Sequence, residues 1–231
     1  MTLVIAHRGA SAAEPQNTIA AFERAVQMGA DGVELDVRRT ADDQLVVHHD
    51  PHLADGRVIR ETHRSDIPAE IPSLDDALDA CAGISVNIEV KNIAGEPDRD
   101  PSHWLAWRLG AVLAARGGDA RWLLSSFSLG TIDRCRLAVP TARTALLTSP
   151  LTAETIGLAA RGGHQAIHPY VDLVDQASIR LAHRHGLAVN VWTCNDPDRM
   201  RELIAWGVDG ICTDVPDVAL AVRAGGELTP R

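Results

Sequence analysis

Val33-Glu34-Leu35-Asp36-Val37 alternates apolar residues with two carboxylates, a pattern that few folds can accept. As a strand it turns Glu34 and Asp36 to one face and Val33, Leu35 and Val37 to the other. A buried strand does not carry two acids two residues apart unless a cation sits between them, because an unpaired buried anion costs several kcal/mol. Val86-Asn87-Ile88-Glu89-Val90-Lys91 repeats the pattern, with Glu89 and Lys91 on one face. Together the two stretches predict three carboxylates, Glu34, Asp36 and Glu89, converging on one divalent cation of the oxygen-preferring kind. The competing reading pairs the acids with Lys91 and Arg8 as structural ion pairs. Three acids against so few bases leave a negative surplus.

The rest of the chain reads as an α/β protein. Residues 2–6 are a short apolar strand opening at His7-Arg8-Gly9. A helix capped by Asn17 or Thr18 runs to Met28 and stops at Gly29, and the acid strand follows. Asp42-Asp43 is a turn into a second short strand over 44–50. Residues 51–72, with Pro51, Asp55-Gly56, Pro68 and Pro72, have little periodicity and form an excursion within one domain spanning 1–231. From Ser73 a unit of helix, turn and short apolar strand recurs to a last helix over 216–224. Eight strands alternate with helices, besides the extra strand at Val46-Val47, which implies parallel strands with right-handed crossovers. The length of 231 residues suits a small closed TIM (β/α)8 barrel, with an open doubly wound sheet as the competitor. Polar residues favour the barrel. His7, Glu34/Asp36, Glu89/Lys91, Ser126, His168, Trp192/Asn195 and Thr213/Asp214 fall at the C-terminal ends of many strands, and only a barrel gathers those ends around one mouth.

A formal net charge of −9 with scattered arginines argues against nucleic acid as a partner. No apolar run approaches the roughly 20 residues that a membrane span needs. A secretory leader pattern is also absent, so no membrane insertion and a cytoplasmic location are expected. Cys81, Cys135, Cys194 and Cys212 lack metal-type spacing and read as reduced core residues. Trp104, Trp107, Trp122 and Trp206 read as helix and core packing, and the packing reading is also preferred for His168, before Pro169. Asp209 and Thr213 are taken as structural. The sequence carries no sign of a partner chain or of an oligomeric state.

His7 and His49 each end an apolar strand, and the two flank the acid strand in sequence. Imidazoles titrate near neutrality, so a pair on opposite sides of a reacting centre can take and give a proton in turn. If the strand continues, His48 faces away from His49, and His49 is the one expected in the site. Arg8 and Lys91 place positive charge at an otherwise acidic mouth, which suits a substrate bringing its own negative charge, a phosphate ester.

His7-Arg8-Gly9 with Glu14-Pro15-Gln16-Asn17-Thr18, Glu34-Leu35-Asp36-Val37, Val46-Val47-His48-His49-Asp50-Pro51, Ile88-Glu89-Val90-Lys91, Val191-Trp192-Thr193-Cys194-Asn195 and Gly207-Val208-Asp209-Gly210-Ile211-Cys212-Thr213-Asp214 occur in an order that resembles the glycerophosphodiester phosphodiesterase family. The resemblance runs from the first strand to the last. It implies a TIM barrel with a small insertion at about 51–72, and a metal-dependent hydrolase of lipid metabolism. Glu34, Asp36 and Glu89 would hold one Mg²⁺ or Ca²⁺ ion, and His7 and His49 would be the general acid-base pair. Arg8 and Lys91 would contact the phosphate, and Trp192 would line the wall near the alcohol. The small-molecule substrate would be a glycerophosphodiester, split into sn-glycerol 3-phosphate and an alcohol such as choline or ethanolamine. One departure is Gln16 where the family carries Glu, which puts the environment of His7 in question. The alternatives are a lysophospholipase D-type enzyme, which needs an apolar trough beside the mouth, a protein that binds phosphodiesters without cleaving them, and a sugar-phosphate isomerase on the same fold.

Overall fold

Each apolar run of the sequence becomes a strand and each amphipathic run a helix packed outside it. The computed structural model describes residues 1–117 and 119–226; Gly118 and residues 227–231 lie outside the described residues. In chain order the elements are β1 (Leu3–His7), α1 (Ile19–Met28), β2 (Gly32–Arg39), β3 (Leu45–Val47), α2 (Leu74–Ala80), β4 (Ser85–Val90), α3 (Trp104–Arg116), β5 (Trp122–Ser126), α4 (Leu129–Ala138), β6 (Arg143–Thr148), α5 (Ala153–Arg161), β7 (Ala166–Pro169), α6 (Gln176–Arg184), β8 (Ala188–Val191), α7 (Pro197–Trp206), β9 (Gly210–Thr213) and α8 (Pro216–Arg223).

All strands but β3 are parallel and run in the order β1-β9-β8-β7-β6-β5-β4-β2, and the β1–β2 pairing closes the ring. The fold is therefore the closed (β/α)8 barrel, not the open sheet. β3 lies antiparallel on the end of β2, with Val37 opposite Val47. Local chemistry sets the helix starts: Thr18, Ser73, Ser128, Thr152, Asp175 and Asp196 each accept a hydrogen bond from a backbone N–H of the first turn. The outward faces of the strands make the core. Val33, Leu35, Val37, Ile88 and Val90 pack under Phe22, Leu78 and Leu109 on one side. Ile167, Val189, Val191 and Ile211 pack under Ile156, Ile179 and Leu203 on the other.

Two expectations change. Trp107 is 49% exposed on α3, so it is not core; the helix is apolar further round than one buried face requires. β3 stops at Val47, so His48-His49-Asp50 is loop, and the pleat of a continuing strand does not separate the two histidines. The excursion over 51–72 has short 3₁₀ turns at Ile59–Glu61 and Arg64–Asp66. Its apolar residues Leu53, Ile59 and Ile67 are buried with Val46 in a small core of their own, with Ile71 against it. They are therefore not free to line a trough.

Candidate active site

Register assembles the site. β2 and β4 pair so that Asp36 sits beside Glu89 and Glu34 beside Asn87, while β1 sets His7 beside Glu34. Inward-facing side chains of neighbouring strands thus converge inside the barrel. One oxygen from each of Glu34, Asp36 and Glu89 lies within 4.8 Å of the others, and all three residues are buried. Lys91 Nζ is 2.8 Å from Asp36 Oδ1 and 2.6 Å from Glu89 Oε1. Arg8 Nε is 3.2 Å from Asp36 Oδ2, at ion-pair distance but without hydrogen-bond alignment. Asn17 donates from Nδ2 to the same Oδ2 at 2.7 Å.

Charge does not balance here. Burial and the neighbouring carboxylates of Asp36 and Glu89 push the Glu34 carboxyl well above its usual range. Burial raises Glu89 as well, against the pull of Lys91. Burial also works against ionised Asp36, but Lys91 and Arg8 outweigh it and hold that carboxyl at about 2. The backbone N–H of Arg8 donates to Glu34 Oε2 at 3.1 Å, yet Glu34 Oε1 is buried with no hydrogen-bond partner among the described residues. An orphaned carboxylate oxygen among three acids and two bases fits a hard divalent cation.

The loop after β1 is held by an unusual backbone. Arg8 has φ 56° and Gly9 φ 83°, so consecutive left-handed residues turn the chain sharply over the strand end. A Cβ on Gly9 would lie 2.6 Å from the backbone carbon of Ala21, inside α1. Gly9→Ala therefore meets both a forbidden φ and a backbone clash. A loss of at least about 2 kcal/mol is expected, read as a lower urea midpoint at unchanged slope.

His7 and His49 both line the cavity that opens at this mouth. His7 Nδ1 is 2.7 Å from Asp214 Oδ1, which also accepts from Ser11 Oγ at 2.9 Å, and Asn195 Nδ2 donates to Asp214 Oδ2 at 2.6 Å. Burial opposes ionisation of Asp214, but the hydrogen bonds from His7 and Asn195 hold its carboxyl at about 2. His49 Nδ1 is 2.6 Å from Asp50 Oδ1, while burial and then Lys91 lower the His49 pKa below 6.5. Each ring thus has its Nδ1 on a carboxylate, an arrangement that fixes tautomer and orientation and leaves Nε2 for another partner. His48 places its Nδ1 2.9 Å from the carbonyl of Asp50 and does not line this cavity.

The cavity is about 780 Å³ counting the part open to solvent, and Arg8, Glu34, Glu89, Lys91 and Trp192 line it with the two histidines. Trp192 packs edge-on against Phe127 at 5.6 Å and donates from Nε1 to the His168 carbonyl at 2.8 Å. Ile93, Phe127 and Leu147 give this side an apolar surface. His168, for which the packing reading is only the preferred one, lines the same cavity; burial drives its imidazole down to about 3, so it is neutral, with Nε2 3.0 Å from Asn190 Nδ2. Gln16 Oε1 accepts from Arg8 Nη1 at 2.8 Å, so the missing carboxylate bears on Arg8, not on His7.

Asp214 was the partner that sequence reasoning passed over. A closed barrel makes the last strand the neighbour of the first, with Ala6 opposite Thr213, so the residue after each must meet. Asn17, taken as one possible helix cap, instead has φ 58° and turns its amide to Asp36, while Thr18 caps the helix. No pattern in the sequence signals that exchange.

Residues 7–218 match the model of the glycerophosphoryl diester phosphodiesterase family. A glycerophosphodiester phosphodiesterase of Caldanaerobacter subterraneus subsp. tengcongensis is 31% identical over 97% of this chain and 99% of its own. The crystal structure of a glycerophosphodiester phosphodiesterase from Parabacteroides distasonis superposes with a TM-score of 0.85 at 27% identity, covering 97% of each chain. An Oleispira antarctica phosphodiesterase in complex with the product sn-glycerol-3-phosphate shares the fold with a TM-score of 0.85 at 23% identity, again over 97% of each chain.

Proposed function

The chain belongs to the glycerophosphoryl diester phosphodiesterase family, and from that premise we propose that it hydrolyses glycerophosphodiesters to sn-glycerol 3-phosphate and an alcohol. It is a phosphoric diester hydrolase; the cation, the histidine roles and the substrate are the parts of the reading that go further. One observation carries them. Three buried acids with an orphaned oxygen sit at a mouth flanked by two histidines, each with its Nδ1 on a carboxylate.

Glu34, Asp36 and Glu89 would hold one Mg²⁺ or Ca²⁺ ion, which when bound neutralises phosphate charge and lowers the pKa of an attacking hydroxyl or water. Arg8 and Lys91 add positive charge in the cavity wall for the phosphate oxygens. His49, with its lowered pKa, enters neutral and takes the proton of the nucleophile. His7, backed by Asp214, gives a proton to the departing alkoxide. The roles exchange in a second step if a cyclic glycerol phosphate forms first and water opens it. Trp192 lies along the wall where the alcohol leaves. The product held by the Oleispira phosphodiesterase is the one this scheme releases. Two imidazoles, each with its Nδ1 on a carboxylate and its Nε2 left for another partner, favour proton transfer over binding alone.

A second reading has an observation of its own. Ile93, Phe127, Leu147 and Trp192 make one wall apolar, the kind of surface that a lysophospholipase D-type substrate with an acyl chain needs. The small core within 51–72 gives it no help. The test is release of glycerol 3-phosphate from glycerophosphocholine by enzyme alone, with EDTA, and after Mg²⁺ or Ca²⁺ is returned. Release that EDTA abolishes and a cation restores is the expected result. No release with a cation bound would move the assignment to lysophospholipids, and no release with no cation bound would overturn the site.

A further inference from the structure

We propose that Arg38 is a positioning residue for His49, a buried guanidinium that clamps the loop carrying the proposed base to the barrel. It follows Asp36 on the inward face of β2, and its side chain is only 1% exposed. Burying a guanidinium is costly unless every side of it is met. Here the partners come from two loops at the C-terminal ends of the strands. Nε donates to the backbone carbonyl of His49 at 2.9 Å, and Nη2 donates to the same oxygen. Nη1 donates to Glu96 Oε2 at 3.0 Å and to Asp98, both in the loop between β4 and α3.

The loop needs such a tie. β3 ends at Val47, so no ladder carries the chain on to His49. The backbone of His48 donates to the Asp36 carbonyl at 3.0 Å, which fixes the residue before. Asp50, which orients the imidazole, is exposed and belongs to the same loop. Among the described residues, Arg38 alone joins His49 itself to a rigid strand, and it does so with two N–H groups of one planar fork. A lysine at this position keeps the charge for Glu96 and Asp98 but cannot reproduce the fork. Displacing a catalytic group by about 1 Å can cost about 100-fold in rate, so loss of the clamp should appear in turnover.

The inference rests on the reading of His49 as a proton-transfer group, and the experiment separates the two. Arg38→Lys and the uncharged Arg38→Gln are made in the wild-type chain and in His49→Ala, with thermal midpoints measured alongside kcat and KM. In the wild-type background either substitution is expected to lower kcat about 10- to 100-fold with KM within about twofold. In the His49→Ala background the same substitution is expected to change kcat by less than about twofold, because the group it positions is gone. A residue that merely holds the fold together would cost the same factor in both backgrounds, and that result, or full turnover by Arg38→Lys, overturns the clamp. If His49→Ala keeps its activity, the assignment of His49 falls; a kcat loss in Arg38→Lys then overturns the clamp too, since it cannot pass through His49.

Discussion

His49→Ala is expected to lower kcat for a glycerophosphodiester with an alkyl leaving group by about 10²- to 10⁴-fold, the range a positioned proton-transfer group supplies. KM should change little, because Arg8, Lys91 and the acid cluster remain. The same loss is expected for His7→Ala, and the double variant should lose far less than the product, since both act in one displacement. The leaving group separates the roles. With a p-nitrophenyl ester the departing phenolate needs no proton, so the His7→Ala loss should shrink to within about tenfold while the His49→Ala loss persists. Equal shrinkage of both, or of His49→Ala alone, would reverse or abolish the assignment. The pH dependence follows from the direction of the His49 shift. A base must be unprotonated, and burial with Lys91 lowers its pKa, so the acid limb of kcat/KM should fall below 6.5. An acid limb above 6.5 would contradict it. Asp214→Asn should cost less than removing His7, because the ring stays but loses the carboxylate that orients it.

What the sequence reveals about this site depends on what β-strand alternation can carry. Glu34, Asp36 and Glu89 are legible because a period of two puts acids on the inner face and valines on the outer, and no common core arrangement does that by chance. The eight-fold alternation makes the barrel legible for the same reason, though closure itself comes only from the β1–β2 pairing. Loops obey no such period. His48 and His49 looked separable by the pleat, whereas β3 ends before both of them. Arg38 sits on the same face as the acids by alternation, yet its partners, the His49 carbonyl and the side chains of Glu96 and Asp98, are fixed by loop paths that spacing does not encode. The same holds for Gln16, whose neighbour is Arg8 because left-handed turns fold the chain back over the strand end. The residues of 51–72 could have lined a trough or packed together, and their composition suits either outcome.

Glu34→Gln should separate the acid cluster's two effects, on stability and on activity, in opposite directions. Without a divalent cation, Glu34 is a buried carboxyl whose pKa lies well above the usual value, through burial first and then Asp36 and Glu89. The folded state therefore holds a proton that the unfolded chain gives up near pH 4.5. Stability should fall as pH rises above that value, by up to about 1.4 kcal/mol per unit, until the folded pKa is passed. Asp36 has the opposite sign, since its pKa is held at about 2; its contribution is complete at neutral pH and is lost only in strong acid. An amide at position 34 removes the first penalty, so cation-free Glu34→Gln should unfold at a higher temperature than wild type at about pH 8 and at a similar one near pH 5. Added Mg²⁺ or Ca²⁺ should reverse the order. At about 100 times its dissociation constant the ion should stabilise wild type by about 2.7 kcal/mol, and a fixed ion concentration should stabilise it more at the higher pH, where no proton competes for Glu34, while leaving the variant nearly unmoved and without phosphodiesterase activity. A variant that still gains stability from the ion would remove Glu34 from the ligand set. A wild-type protein whose midpoint ignores both ions and pH would mean that Lys91 and Arg8 already balance the acids, and the cation would have no place in this barrel.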